Sequence, residues 1–237
     1  MIEIELREDG GADRALWDGV GYLVELLPTD WVLIGGLMVQ LHALEHGVRD
    51  VRATRDIDVL GQARPQRTLP EIDAALCRAG FQPVEPDLDN YAFRYVRDEL
   101  VVDVLAPDGL KPAPRLDAAR KAIGVPGGSQ ALARAETVAV RFRDRTFNLR
   151  RPTLLGAILI KARALRVHHD ADTQREDLLL LLSLVEDPRA IAVDLGKAER
   201  RWLRQAEPLL RFAEPVGLRA TNVGRARQTL RLLSREP

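Results

Sequence analysis

The amino-acid sequence predicts an α+β fold, and three observations carry that reading. Short apolar runs of strand character alternate with helical segments through the first half. Two pairs of strand-like runs are each joined by a short charged turn, Arg97-Asp98-Glu99 and Arg143-Asp144-Arg145. From Pro152 onward the apolar spacing is almost wholly helical.

Taken in order, residues 14–27 have apolar positions at helical spacing and stop at Pro28, which predicts a helix. Residues 31–34 are wholly apolar and run into Gly35-Gly36, the pattern of a buried strand entering a tight turn. Residues 37–46 turn helical, with Gly47 as a left-handed stop. Residues 56–60 predict a second buried strand, and 70–79 a helix with proline at its start and Gly80 past its end. Residues 91–96 with 100–105, and 137–142 with 146–149, predict two hairpins. Helices are expected over 153–168, 173–185, 197–212 and 221–234. The glycine-rich stretch 124–128 is the natural linker, so we expect a core over residues 1–120 and a hairpin plus helical C-terminal domain over 121–237.

Composition excludes several classes. No apolar stretch reaches the roughly 18 residues of a membrane span. The first ten residues are acidic and alternating, unlike a signal peptide. A single cysteine, Cys77, excludes an internal disulfide and fits a reducing compartment, so a cytoplasmic location is expected. The net charge of zero hides an asymmetry. Residues 1–120 carry 13 basic against 22 acidic side chains, a balance of −9, and residues 121–237 carry the reverse, +9. This fits a cation site facing an anionic ligand, or two halves that pack together.

The chemistry concentrates between Trp31 and Leu60. Alternate residues of a strand point the same way, so Asp56 and Asp58 project together. Two carboxylates so close repel unless a cation lies between them, and oxygen-only ligands suit magnesium, with manganese as a substitute. Asp103, the one charge in the apolar run Val101-Val102-Asp103-Val104-Leu105, needs a partner or a metal. Were its strand to lie beside Asp56 and Asp58, the three acids would suit two metals about 4 Å apart. Gly35-Gly36, followed by a helix, lets backbone N–H groups approach a phosphate closely.

Ile34-Gly35-Gly36 with Arg52-Ala53-Thr54-Arg55-Asp56-Ile57-Asp58 resembles the DNA-polymerase-β-like nucleotidyltransferase superfamily. The likeness is nearest to its AbiEii-type members, many of them toxins of toxin–antitoxin pairs. It covers residues 31–105 strongly and continues to about 185. It implies a mixed sheet with flanking helices and a helical domain closing a nucleotide cleft. The implied activity is magnesium-dependent transfer of a nucleoside monophosphate from an NTP to an acceptor hydroxyl, a tRNA end above all, and a cognate antitoxin as partner. Asp56, Asp58 and Asp103 would hold the metal. Gly35, Gly36, Leu37, Thr54 and Lys161 would hold the nucleotide. Lys161 would neutralise triphosphate charge, and Asp177 would orient it or activate the acceptor. Leu37 departs from the family, which places Ser or Thr after Gly-Gly, so the side-chain contact to the triphosphate is lost. That departure leaves open a protein that binds NTP without catalysis. A small molecule or a protein as acceptor is likewise open.

The remaining candidates are weaker. His42 with His46, and His168-His169-Asp170, lack the ligand set of a zinc site and read as polar surface. Cys77 reads as core. Arg141, Arg143, Arg145, Arg150 and Arg151 either grip RNA phosphates or form a solvated face.

Overall fold

A computed structural model describes residues 2–6, 13–49, 51–62, 68–165, 171–210 and 220–235. The chain is α+β, with mixed sheets and helices. One sheet is built around β2 (Trp31–Leu33), β3 (Ile57–Gly61), β7 (Leu100–Pro107), β6 (Arg94–Arg97) and β4 (Gln82–Pro83), hydrogen-bonded in that order. β8 (Lys121–Val125) pairs with β7 and with the short β5 (Tyr91–Ala92). β3 runs antiparallel to β2 and parallel to β7, and β6 antiparallel to β7. A second, three-stranded sheet places β9 (Ala135–Phe142) between β1 (Ile2–Leu6) and β10 (Arg145–Pro152).

Both sheets cross residue 120. β8 joins the larger sheet through Leu105, Ala106 and Pro107, and β1 pairs in parallel with β9 over its whole length. The expected division at 120 therefore runs through continuous hydrogen-bonded pairing. The glycine stretch 124–128 is a packed corner and no linker. Gly127 has φ of +86°, and a Cβ on Gly128 would lie 2.9 Å from the Pro107 Cα. Close approach, not chain freedom, is what those glycines supply.

The expected helices form with shifted ends, and two short ones, Gly128–Ala133 and Pro188–Ala192, form where none was expected. α1 (Arg14–Leu26) starts at Asp13, whose side chain accepts from the Leu16 N–H. α2 (Gly35–Glu45) takes in both glycines of the turn. α3 (Thr68–Arg78) and α4 (Gly128–Ala133) follow, then α5 (Leu154–Ala164), capped by the Thr153 hydroxyl. α6 (Ala171–Leu184), α7 (Pro188–Ala192), α8 (Lys197–Ala206) and α9 (Ala220–Ser234) complete the tail. The helix expected over 197–212 breaks into a 3-10 turn at Glu207–Leu210, where Pro208 lacks the N–H to continue it.

Two apolar clusters fill the molecule. One joins α1, α3 and β9–β10 to one side of β2, β3 and β7, through Trp31, Leu33, Ile57, Val59, Val102 and Val104. The other joins α5, α6, α8 and α9 to the opposite side, where Val32 and Leu60 lie. α2 feeds both clusters, Leu37 and Leu41 into the first, Met38 and Val39 into the second. A helix enclosed this way is apolar around its circumference, which explains its weak amphipathic pattern. By strand alternation Asp58 shares its sheet face with Leu60, and Asp103 with Leu105. The tail helices therefore cover the acidic face.

Candidate active site

Strand register builds the first half of the site. Asp58 on β3 pairs in register with Asp103 on β7, and Asp103 with Arg94 on β6. A carboxylate, a carboxylate and a guanidinium thus form a row across three adjacent strands. Arg94 holds Asp103 bidentately, with Nε to Oδ1 and Nη2 to Oδ2 both at 2.8 Å. Its Nη2 also reaches Asp56 Oδ2 at 3.4 Å. Asp56 in addition accepts the Thr54 hydroxyl at 3.0 Å.

Among the described residues Asp58 has no such partner, and its carboxyl is pushed up to about 7. Burial is the main cause, Asp56 and Asp103 add repulsion, and Lys161 and Arg94 oppose it only in part. Burial also raises Asp103 above its ordinary range, with Arg94 countering.

The glycine turn is shaped by these same residues. Gly35 adopts a φ of +70°, and a Cβ there would overlap the Asp58 carboxylate. A Cβ on Gly36 would lie 2.7 Å from Thr54 Oγ1. The Ile34 N–H donates to the Asp58 carbonyl oxygen at 3.0 Å, which ties the turn to the strand. α2 begins here with no side-chain cap, so its first N–H groups are left for water or an anion. Leu37 is 1% exposed and packs in the first core cluster, so only its main-chain N–H remains to offer a phosphate.

The second half comes from the tail. Lys161 on α5 and Asp177 on α6 are both buried, and Lys161 Nζ lies 2.7 Å from Asp177 Oδ2. Gln174 Oε1 accepts from Lys161 at 3.1 Å. Arg52 clamps the same carboxylate, with Nε to Oδ1 and Nη2 to Oδ2 both at 2.8 Å. Burial alone would raise Asp177, but Lys161 and Arg52 outweigh it and hold the carboxyl below its ordinary value. Lys161 is not on a solvated helix face, and Asp177 lies in the middle of α6 rather than in its first turn.

Of the candidate site residues, Gly35, Gly36, Thr54, Asp56, Asp58, Asp103, Lys161 and Asp177 lie at one place, whereas the Leu37 side chain turns into the core. Two more belong with them, Arg52 and Arg94. Arg52 lies ahead of β3 in a segment outside regular structure, so no strand alternation singled it out.

The fit to magnesium is uneven. Asp58 has the excess negative charge a cation would relieve, and Asp56 is its neighbour in the chain. Asp103 has both oxygens committed to Arg94. Among the described residues no set of three or more His, Cys, Asp or Glu side chains is arranged to hold a metal. A site of two carboxylates fits magnesium, which takes one or two plus phosphate oxygens. The three-carboxylate arrangement does not.

Other candidates resolve differently. His42 is 1% exposed, with Nε2 3.0 Å from the Pro152 carbonyl oxygen, so it is interior and no surface group. Cys77, expected in the core, is exposed. The motif His168-His169-Asp170 lies outside the described residues. The hairpin arginines are engaged with the chain itself. Arg141 faces Glu3 and Glu5, Arg145 pairs with Glu25, Arg150 donates to the Thr29 carbonyl, and fully buried Arg151 pairs with Glu45 and Glu136. Several of these pairs join the acidic half to the basic half, and the charge asymmetry is partly spent on them. Among the described residues no helix is long and apolar enough to cross a membrane.

Comparison of the chain with protein-family models, with curated proteins and with solved structures found no match.

Proposed function

We propose that this chain is a magnesium-dependent nucleotidyltransferase that moves a nucleoside monophosphate from an NTP to an acceptor hydroxyl and releases pyrophosphate. One observation carries the reading. Lys161 and Asp177, more than 100 residues from Asp56 and Asp58 in sequence, join the same site through Arg52, beside a glycine turn that opens a helix. A nuclease would need the carboxylates and the lysine, but it would leave that turn without a task.

In this reading the N–H groups of Gly36 and Leu37 bind triphosphate oxygens at the positive end of α2. Asp56 and Asp58 would hold magnesium, which when bound neutralises phosphate charge and acidifies the attacking hydroxyl. Lys161 directs its ammonium at the transferring phosphoryl group, where positive charge acts mainly in the transition state. Asp177, clamped by Arg52, fixes the position of Lys161.

An RNA end, such as that of tRNA, is the acceptor that the family resemblance favours, with the chain acting as a toxin restrained by a cognate antitoxin. The paired hairpin arginines add nothing to that choice, so acceptors must be compared directly. The experiment is transfer of label from each NTP to total tRNA, to hydroxyl-bearing small molecules such as aminoglycosides, and to protein. Wild type should label one of these. Asp58→Ala and Lys161→Ala, at matched folded concentrations, should each lose on the order of 100-fold or more in rate. NTP binding by wild type without any labelling would instead establish a binding protein. Equal rates in all three proteins would remove the site assignment.

A further inference from the structure

The position of Arg94 deepens this reading and rests on it. Three carboxylates on adjacent strands would suit a pair of metal ions, each needing oxygen ligands from the set. Here the third carboxylate is already neutralised by a short bidentate ion pair, whereas Asp56 has only a hydroxyl and one longer guanidinium contact. Both Asp103 oxygens accept from Arg94, and the Nη2 that donates to Asp103 Oδ2 also reaches Asp56 Oδ2 at 3.4 Å. The Arg94 side chain is 41% exposed, but its position opposite Asp103 is set by strand register. Arg94 and Asp103 are directly opposed in the β6–β7 hairpin, whose register is fixed by the two-residue turn between Arg97 and Leu100. Asp103 is 5% exposed, so losing its partner would leave a buried charge. A bidentate guanidinium supplies fixed positive charge with geometry that an ammonium cannot copy.

We propose that Arg94 is a resident cation that takes the place of a second metal, so that this chain holds one divalent ion, on Asp56 and Asp58, and not two. Arg94 is then a positioning residue. It neutralises Asp103 and steadies Asp56, while Asp58 remains the carboxylate without a cation.

Counting bound ions tests this without reference to turnover. Free Mn2+ is followed by electron paramagnetic resonance as it is titrated onto the full chain without nucleotide. Wild type should bind one Mn2+ per chain. Arg94→Gln, which empties the third carboxylate, should bind two. Asp103→Asn should keep one ion, with affinity within about threefold of wild type, because Asp103 is not a ligand. This variant keeps the inference testable if Arg94→Gln does not fold. Two ions on wild type, a single ion on folded Arg94→Gln, or a loss of more than tenfold in Asp103→Asn would each overturn the inference. If two ions accompany intact nucleotide transfer, the proposed function stands and only the role of Arg94 falls. No ion together with no transfer would overturn both.

Discussion

Asp58, half-buried, and Asp177, buried, are two carboxylates of one site, and the chain treats them in opposite ways. Asp177 has a lysine and an arginine within 2.8 Å and is held below its ordinary range. Asp58 has two carboxylates as neighbours and is pushed up to about 7. Burial penalises both, so the difference comes from the partners each is given. Asp177 is complete within the protein, and its cations are held by it as firmly as it is by them. Asp58 is crowded by negative charge that Lys161 and Arg94 offset only in part, which a proton or a bound cation would relieve. In the proposed function, Asp177 is the carboxylate that positions Lys161 and Asp58 is one that receives the metal.

The sharpest way to break this comparison is to remove each carboxylate and ask which the fold misses. Asp177→Ala leaves Lys161 buried beside Arg52 with no counter-charge, and we expect a loss of about 3–5 kcal/mol in urea unfolding. A cost below about 1 kcal/mol would mean that the tail cluster is solvated and that the contrast with Asp58 is false. Next in size is Leu37→Ser, which installs the residue that the superfamily places after Gly-Gly. Leu37 belongs to the core, so the cavity and a buried hydroxyl should cost about 2–5 kcal/mol. NTP affinity, measured on the folded fraction, should stay within a few-fold of wild type. A gain in affinity with no thermal penalty would show that residue 37 faces the ligand.

How much of this was legible in the sequence depends on the range of the interaction. The strand, glycine turn and helix around residues 31–46 were legible because apolar runs, glycine conformation and helical spacing are local. Asp56 and Asp58 were legible for the same reason. Asp103 stood out as one charge in an apolar strand, but its partner did not. Arg94 could have been found from the turn: pairing Arg97 with Leu100 across Asp98-Glu99 forces Arg94 opposite Asp103. The turn was read as three residues, and a register off by one hides such a pair. The division at residue 120 was misleading because β1 finds its partner more than 130 residues away, a pairing that no local pattern encodes. His42 was read as surface because a histidine at helical spacing looks polar, whereas α2 is covered on every side.

Asp58→Asn tests the other half of the comparison, with the opposite sign. A carboxyl raised in the folded state keeps a proton that the unfolded chain releases above about pH 4. The wild type therefore loses stability as pH rises from about 4 to about 7, where Asp58 ionises among its neighbours. The amide carries no such charge. Asp58→Asn should be more stable than wild type by on the order of 1–2 kcal/mol at pH 8, a discounted figure because part of the repulsion is screened. The gain should vanish near pH 4, and saturating magnesium should narrow it at pH 8 by stabilising wild type alone. An Asp58→Asn protein less stable than wild type at pH 8 would mean that the carboxylate is already satisfied within the chain.

The smallest effect lies toward the far end of α2, at the buried His42. Burial, reinforced by the Arg151 charge, holds its imidazole well below the ordinary histidine range, so it is neutral in the folded chain. Its Nε2 lies 3.0 Å from the Pro152 carbonyl oxygen, a contact that a neutral ring makes as a donor. Unfolding frees the ring to take up a proton below about pH 6.5, which favours the unfolded chain as pH falls. Between pH 6.5 and 5.5 this amounts to about 1 kcal/mol for one group. His42→Gln retains a donor toward Pro152 but cannot titrate, so its stability should fall less than that of wild type over that interval, by about the same 1 kcal/mol. Combining His42→Gln with Asp58→Asn should give additive changes, since no contact joins the two groups in the described structure. Coupling above about 0.5 kcal/mol would show that α2 transmits charge from one end to the other, and the site could then no longer be treated as electrostatically local.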